Sequence, residues 1–206
     1  MNKAMNKNSQ TGFTLIEIII TMAIVVFVVS GIYVFVGNLT DASLRINSGL
    51  LANQEIQQAL QVMVPELRSA AQSNTGVYPI IEAASTSIRF YSDVNGDSIF
   101  EEVHYYLEGD VFKKGVIAPS GEPLVYDEED EKVRELVENM VTGAQIFSYF
   151  SAEATSTYAD ALPFPVNILD ISKVKITLSV NKGTPTMPSI IGIEDLVTIR
   201  NLRYKE

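Results

Sequence analysis

Residues 12–39 have the sequence GFTLIEIIITMAIVVFVVSGIYVFVGNL, and this stretch decides how the rest of the chain is organised. Between Phe13 and Val36 nearly every residue is apolar, and Glu17 is the only charged one. A helix that crosses a bilayer needs about 20 apolar residues, each adding about 1.5 Å of rise. The sequence therefore predicts one membrane-spanning helix over residues 13–39.

The charges on either side of this stretch predict how it crosses the membrane. Lys3 and Lys7 precede it, whereas Asp41 and Arg45 follow it. Because positive charge favours the cytoplasmic side, we expect a cytoplasmic N-terminus and an extracytoplasmic C-terminal domain. A secretory signal peptide also starts basic, but this apolar run is longer than the usual signal core and no small-x-small cleavage site follows it. An uncleaved signal anchor is the remaining alternative.

The letters GFTLIE at residues 12–17 resemble, at all six positions, the prepilin peptidase site of type IV pilins and type II secretion pseudopilins. The resemblance implies that residues 1–12 are a leader, that prepilin peptidase cuts after Gly12, and that the new amino terminus at Phe13 is N-methylated. It also implies an inner-membrane protein whose partners are other pilins in a filament and the inner-membrane assembly platform.

Glu17 has a physical reason to be functional, because an unpaired carboxylate inside a membrane helix is costly. In the family that the motif resembles, the corresponding acid pairs with the free amino terminus of a neighbouring subunit and sets the axial register. The alternative is a glutamate that lies near the membrane surface and extends outward into water.

Beyond the apolar stretch, the helix is predicted to continue over residues 40–73. Apolar residues recur there at steps of three and four, the pattern of an amphipathic helix, at Ile56, Leu60, Met63, Val64, Leu67 and Ala71. Pro65 is expected to kink this helix or to begin a new segment.

Residues 74–206 predict one globular domain built from short strands. Strand-like runs cover residues 87–91, 102–107, 111–115, 144–150, 173–181 and 191–202, and a tight hairpin turn is expected at Gly109. The predicted fold class is α+β: a long N-terminal α-helical spine, first transmembrane and then amphipathic, packed on an antiparallel β-sheet domain, as in the pilin fold.

Looser patterns suggest a subclass. RFYSD at residues 89–93, EVHYYL at 102–107 and VTIRNL at 197–202 together resemble the W-type minor pilins and the J-type pseudopilins. This resemblance implies a structural subunit in the tip or priming complex of a type IV pilus, a type II secretion system or a DNA-uptake filament.

Asp93, Asn95 and Asp97 place oxygen side chains at alternate positions and are weak candidates for calcium binding. An EF-hand needs glycine at its sixth position and glutamate at its twelfth, but here Gly96 stands at the fourth and His104 at the twelfth. The alternatives are a different calcium loop, which would use Glu101 or Glu102, and a plain turn that joins two strands.

Composition argues against several classes of function. Cysteine is absent, which excludes disulfides and thiolate chemistry, and the net charge of −10 argues against nucleic acid as a direct partner. No cofactor is expected, and the single histidine, His104, is expected on a strand face. The five acids at residues 127–131 predict a solvated loop that enters a short helix, or else an acidic interaction patch.

No catalytic constellation is evident, so we expect a protein that is not an enzyme. The alternative to a filament subunit is a membrane-tethered extracytoplasmic binding module or adhesin. The two hypotheses differ at Glu17, because tethering alone does not need that charge.

Overall fold

The computed structural model describes residues 12–155, 160–182 and 189–202, apart from the side chains of residues 38–48. Residues 1–11 of the predicted leader therefore lie outside the described residues. The chain divides into two compact units, Met1–Asn47 and Ser48–Glu206. One helix, α1 (Leu15–Arg68), begins in the first unit and ends in the second.

The described part of the second unit contains two antiparallel sheets. The first is a meander of five strands in chain order: β1 (Ile80–Ala83), β2 (Ser87–Ser92), β3 (Glu101–Glu108), β4 (Val111–Ile117) and β5 (Lys132–Val137). The second has three strands, also in chain order: β6 (Phe147–Phe150), β7 (Lys173–Asn181) and β8 (Ile190–Thr198). The α+β prediction, with an N-terminal helix packed on a sheet domain, is confirmed.

The C-terminal part of α1 packs through a stripe of buried side chains at helical spacing. These side chains belong to the same core cluster as buried residues of both sheets, and they are Ala52, Ile56, Ala59, Leu60, Met63 and Leu67. Val64 is partly buried against the cluster. The predicted amphipathic face is therefore confirmed here, except that Ala70 is buried in the core and Ala71 is only half-buried.

The helix ends at Arg68 rather than near residue 73, because polar groups of the next residues form hydrogen bonds that do not continue the helix. The Ser69 hydroxyl donates back to the carbonyl of Pro65 at 2.9 Å, and the Ala71 N–H donates to the Tyr91 carbonyl of β2 at 3.0 Å. Pro65 lies inside the last turn of α1, so the prediction that it begins a new segment is wrong. A proline near a helix end removes only one backbone hydrogen bond, which this packed helix tolerates.

Most of the predicted strands are present, and the hairpin turn at Gly109 is confirmed with a backbone φ of +65°. The run 144–150 becomes a strand only at Phe147, because the N–H groups of Ile146 and Phe147 both donate to the Ser85 carbonyl. The run 191–202 leaves the strand after Thr198 and ends in a short 3-10 turn.

The segment after the acidic run was predicted as a short helix, and this prediction is wrong. The acids of the run form a single 3-10 turn, Glu128–Asp130, capped by the Asp127 side chain, and the chain then enters β5. Strand β5 pairs with β4 along its length and shows no alternation of apolar and polar residues, since its first four residues are all exposed. Backbone hydrogen bonds to β4 form this strand, and such bonds do not require any particular pattern of side chains. Strand β1 was also missed, and it is only four residues long.

Aromatic side chains join the two sheets inside the core. Phe90, Tyr105 and Phe112, from three adjacent strands, stack in sequence with ring centroids 6.1 and 6.0 Å apart. Phe112 then contacts Phe147 of β6, with centroids 6.3 Å apart. This row places a continuous apolar layer beneath the buried stripe of α1.

One polar cluster bridges the last turns of α1 and the five-stranded sheet. Glu66 of α1 accepts a hydrogen bond from the Tyr105 hydroxyl at 2.7 Å and one from Lys114 Nζ at 2.5 Å. The Lys114 ammonium also lies 5.7 Å from the centre of the Tyr105 ring. Both carboxylate oxygens are satisfied, which allows a partly buried charge to be tolerated at this position.

A contact between His104 and Glu131 lies on the opposite face of the sheet and depends on a glycine. His104 Nδ1 lies 3.5 Å from Glu131 Oε1, and neither atom has a hydrogen bond. Gly115 is the cross-strand neighbour of His104, and a Cβ built there would overlap the Glu131 carboxylate. Burial lowers the pKa of His104, the positive charge of Arg89 lowers it further, and Glu131 opposes both. The prediction that His104 lies on a strand is confirmed.

Buried tyrosines predict loss of stability at alkaline pH. Burial, with the nearby Tyr91, Glu102 and Glu101, raises the pKa of Tyr126 from its ordinary 10.0 to about 12, and burial likewise raises the pKa of Tyr105 and Tyr149. The pKa values of these tyrosines in the folded state lie above their value in the unfolded state. The free energy of unfolding is therefore unaffected by these groups below pH 10, and it falls as the pH rises above 10. We expect the urea concentration at the unfolding midpoint to fall by about 1 M between pH 8 and pH 11. The measurement uses the chain purified in an uncharged detergent. A flat midpoint across this range would contradict the prediction, and thiol chemistry cannot imitate the effect because cysteine is absent.

The titration of the single histidine tests the contact at Gly115. We expect the His104 ring signals in NMR spectra to report a pKa below 6.5, and we expect Glu131→Gln to lower the pKa further, since it removes the negative charge that opposes burial. Gly115→Ala should shift the pKa in the same direction, because the new methyl group displaces the Glu131 carboxylate. Glu129→Gln, which removes an exposed acid of the same run, is the control and should leave the pKa unchanged. An unchanged pKa in the Glu131 variant would show that the two groups do not interact.

Candidate functional site

The N-terminal segment that carries the GFTLIE letters begins α1 with a side-chain cap. Thr14 lies just before the first helical residue, and its Oγ1 accepts a hydrogen bond from the Glu17 N–H at 3.4 Å. The Thr14 carbonyl accepts from the N–H groups of Glu17 and Ile18, at 3.1 and 3.3 Å. Threonine three residues before glutamate is the spacing of a capping box, a signal present in the sequence that the sequence analysis did not use.

The helix that follows exposes an apolar surface on all sides. Leu15–Gly37 spans 23 residues with a mean hydropathy of 2.8, and none of the 18-residue window that defines it is buried within the chain. Phe27 and Tyr33 are each 82% exposed. By length and composition this helix can cross a membrane, and its bare apolar surface needs lipid or other helices to cover it.

Two hydroxyl side chains in this helix form hydrogen bonds within it. The Thr21 hydroxyl donates to the Ile18 carbonyl at 2.9 Å, and the Ser30 hydroxyl donates to the Val26 carbonyl at 2.8 Å. Such back-bonding removes the cost of placing a hydroxyl in an apolar environment. These two residues therefore place no demand on a partner.

Glu17 is different, because its carboxylate is exposed and takes part in none of the ion pairs formed among the described residues. The backbone N–H of Glu17 is already used by the Thr14 cap, which leaves the side chain free to project from the first helical turn. Gly12 and Phe13 precede the helix in non-helical conformation, and Phe13 is 79% exposed. The three residues that the sequence analysis singled out thus lie together at the start of α1, and all three are exposed.

The loop of Asp93, Asn95 and Asp97 connects β2 to β3 and is held by its own hydrogen bonds. The Asp93 carboxylate accepts from the N–H groups of Gly96 and Ser98, at 2.6 and 3.0 Å. The Asn95 amide nitrogen donates to Asp97 Oδ2 and to Glu101 Oε1, both at 2.9 Å. These contacts are those of Asx turns, which place side-chain oxygens against backbone N–H groups.

Among the described residues, no group of three or more histidine, cysteine, aspartate or glutamate side chains is placed to hold a metal ion. Calcium binding by Asp93, Asn95 and Asp97 stays a prediction.

Comparison with known proteins bears on the N-terminal segment alone. The family model described as the prokaryotic N-terminal methylation motif matches residues 7–33, which include the capped start of α1 and most of its apolar length. No curated protein matches the chain. The motif supports a type IV pilin-like prepilin, implies processing by prepilin peptidase, and points to a structural protein rather than an enzyme.

The matched residues coincide with the part of the described structure that cannot satisfy its own surface. Most of the exposed apolar side chains of this helix lie within residues 7–33, and so does Glu17, which forms no ion pair among the described residues. The chain therefore carries the methylation motif of type IV pilin-like prepilins at the start of a helix that is long and apolar enough to span a membrane.

Proposed function

We propose that this chain is a minor pilin or pseudopilin, a structural subunit of the filament of a type IV pilus, a type II secretion system or a DNA-uptake machine. The observation that carries the proposal is the match to the methylation motif over residues 7–33, set on a bare apolar helix with one charge. Such a helix is stable in a bilayer before assembly, and it is equally stable against the apolar helices of other subunits afterwards.

Glu17 would direct the transfer between these two environments. After cleavage behind Gly12, the amino group of Phe13 is a free positive charge at the start of the helix. Two opposite charges that are each costly in an apolar medium become tolerable when they pair across subunits. The exposed position of the Glu17 carboxylate, held on the first turn by the Thr14 cap, supports this role.

The remaining features of the proposal are the anchor and the place of the subunit. Residues 13–39 would hold the protein in the inner membrane with its N-terminus in the cytoplasm, and residues 74–206 would lie outside the cytoplasm. The W-type and J-type sequence patterns support a position in the tip or priming complex. Contacts to sister subunits would then come from the sheet domain.

The first prediction concerns processing. We expect the protein extracted from the membranes of its native host to lack residues 1–12, to begin at Phe13, and to carry one added methyl group on that residue. Intact mass and N-terminal sequencing measure both changes, and a host without prepilin peptidase should yield the uncut chain. An N-terminus elsewhere, or an uncut chain in the presence of the peptidase, would favour a signal-anchored binding module instead.

The second prediction concerns assembly. We expect Glu17→Gln to leave cleavage and membrane insertion unchanged but to reduce incorporation into filaments at least about tenfold, because the register-setting charge pair is lost. Incorporation is measured as the share of the protein in sheared filament fractions relative to the membrane.

Two variants make this test specific. Glu17→Asp keeps the charge and should retain part of the incorporation, whereas Thr21→Val, which changes a polar residue of the same helix to an apolar one, should behave as the unmodified chain. Full function of the Glu17→Gln protein at the cell surface without filament incorporation would support the adhesin alternative and contradict the assembly role.

A further inference from the structure

A cleft lies between the C-terminal part of α1 and the outer strand of the five-stranded sheet. Its volume is about 410 Å³, within the range of small binding sites. Gln58, Gln61 and Val62 of α1 form one wall, and Lys132, Arg134 and Leu136 of β5 form the other. Both walls belong to the unit Ser48–Glu206.

The cleft is basic in a chain with a net charge of −10. Lys114 also lines it, but its charge is taken by Glu66. Lys132 and Arg134 are exposed, and none of the ion pairs formed among the described residues involves either of them. Glu135 of β5 also lines the cleft and is paired with Lys113 at 3.3 Å. Two cations two residues apart therefore face the cleft without an ion-pair partner among the described residues.

Register explains why these two cations share one face. Arg134 stands opposite Lys114 and Lys132 stands opposite Val116, so both side chains lie on the side of the sheet that α1 covers. Residues at positions i and i+2 of a strand are about 7 Å apart. An added strand on β5 would present its own alternate side chains to this face at the same spacing.

Strand β5 is the edge of its sheet within the described residues, since it pairs with β4 alone. An unpaired edge offers backbone N–H and C=O groups to another extended segment, the basis of recognition by strand addition. Edge lysines and arginines also have a simpler use, which is to prevent such pairing with copies of the same chain.

Charge disfavours a second copy as the occupant. When two β5 strands pair antiparallel in the registers that overlap them most, with their α1-facing residues on one face, Lys132 lies opposite Lys132 or Arg134, or Arg134 lies opposite itself. The registers that would pair Lys132 with an acid place it opposite Asp130, which lies in a 3-10 turn, or opposite Glu138, which lies beyond the end of β5. Like charges directly opposite each other destabilise a strand pair.

We infer that the cleft between α1 and β5 binds an extended acidic segment of a different protein, which adds a strand to β5 and places alternate carboxylates on Lys132 and Arg134. The amide N–H groups of Gln58 and Gln61 would donate hydrogen bonds to the same carboxylates, and Val62 and Leu136 would cover the apolar part of the segment. The inference goes beyond the proposed filament role and does not depend on Glu17.

The test uses the full chain in uncharged detergent micelles and a fluorescein-labelled peptide of about eight residues, with alternating glutamate and valine. We expect saturable binding by fluorescence anisotropy, weakened by added salt, and slower amide hydrogen exchange across β5 in the bound state. Arg134→Glu should weaken binding at least about tenfold, because it replaces an attraction by a repulsion. Arg200→Glu, an equal change of charge at an exposed site in the C-terminal 3-10 turn, should change binding less than about twofold.

A peptide with glutamine in place of glutamate is the second control and should bind at least about tenfold more weakly. Arg134→Gln serves if the charge reversal fails to fold. Equal binding of the two peptides, an equal loss in the Arg200 variant, or unchanged exchange in β5 would overturn the inference. No binding by the unmodified chain would overturn the inference and show that the two cations only prevent other strands from pairing with β5. Self-association without peptide would also overturn it and would assign the cleft to a second copy.

Discussion

The domain Ser48–Glu206 depends on the burial of one stripe of α1 in a core that two separate sheets share. Ile56, Met63 and Leu67 are fully buried in the same core cluster as Phe112 of one sheet and Phe147 of the other. Each such side chain contributes about 1.5–3 kcal/mol when it is removed from water, and net stabilities are only about 5–15 kcal/mol. With no cysteine in the chain, this apolar packing replaces the covalent links on which many exported domains rely.

The two ends of α1 have different surroundings, and the sequence pattern of the helix changes between them. Residues 15–37 are apolar on every side, whereas from Ala52 onward the buried positions follow a stripe and the remaining positions are polar or exposed. The first pattern identifies a helix that lipid or other helices must cover, and the second identifies a helix that its own domain covers. Glu17 interrupts the first pattern at the point where the helix begins, and its cap by Thr14 fixes where the charge is presented.

Sequence patterns predicted those elements in which buried and exposed side chains recur at regular spacing. The alternation of Val174, Ile176 and Leu178 placed β7 with correct bounds, because one face of that strand is in the core. Strand β5 left no such trace, since its first four side chains are exposed and its pairing with β4 uses the backbone. The N-terminal segment was predictable because its motif is contiguous in sequence. The cleft was not, because the approach of Arg134 to Gln58 depends on strand register and on the docking of α1.

The end of α1 has a consequence for how the chain reaches its final state. The carbonyl groups of Glu66 and Ala70 are bound by the side chains of Ser92 and Asn201, at 3.0 and 2.9 Å. Asn201 lies 131 residues beyond Ala70, so one of these bonds cannot form until nearly the whole chain has been synthesised and has come together. Contacts so distant in sequence form late and slow the search for the native arrangement. During synthesis the N-terminal part of the helix is thus complete long before its C-terminal end has all its contacts, and the domain can finish packing on the helix only after Asn201 has been made.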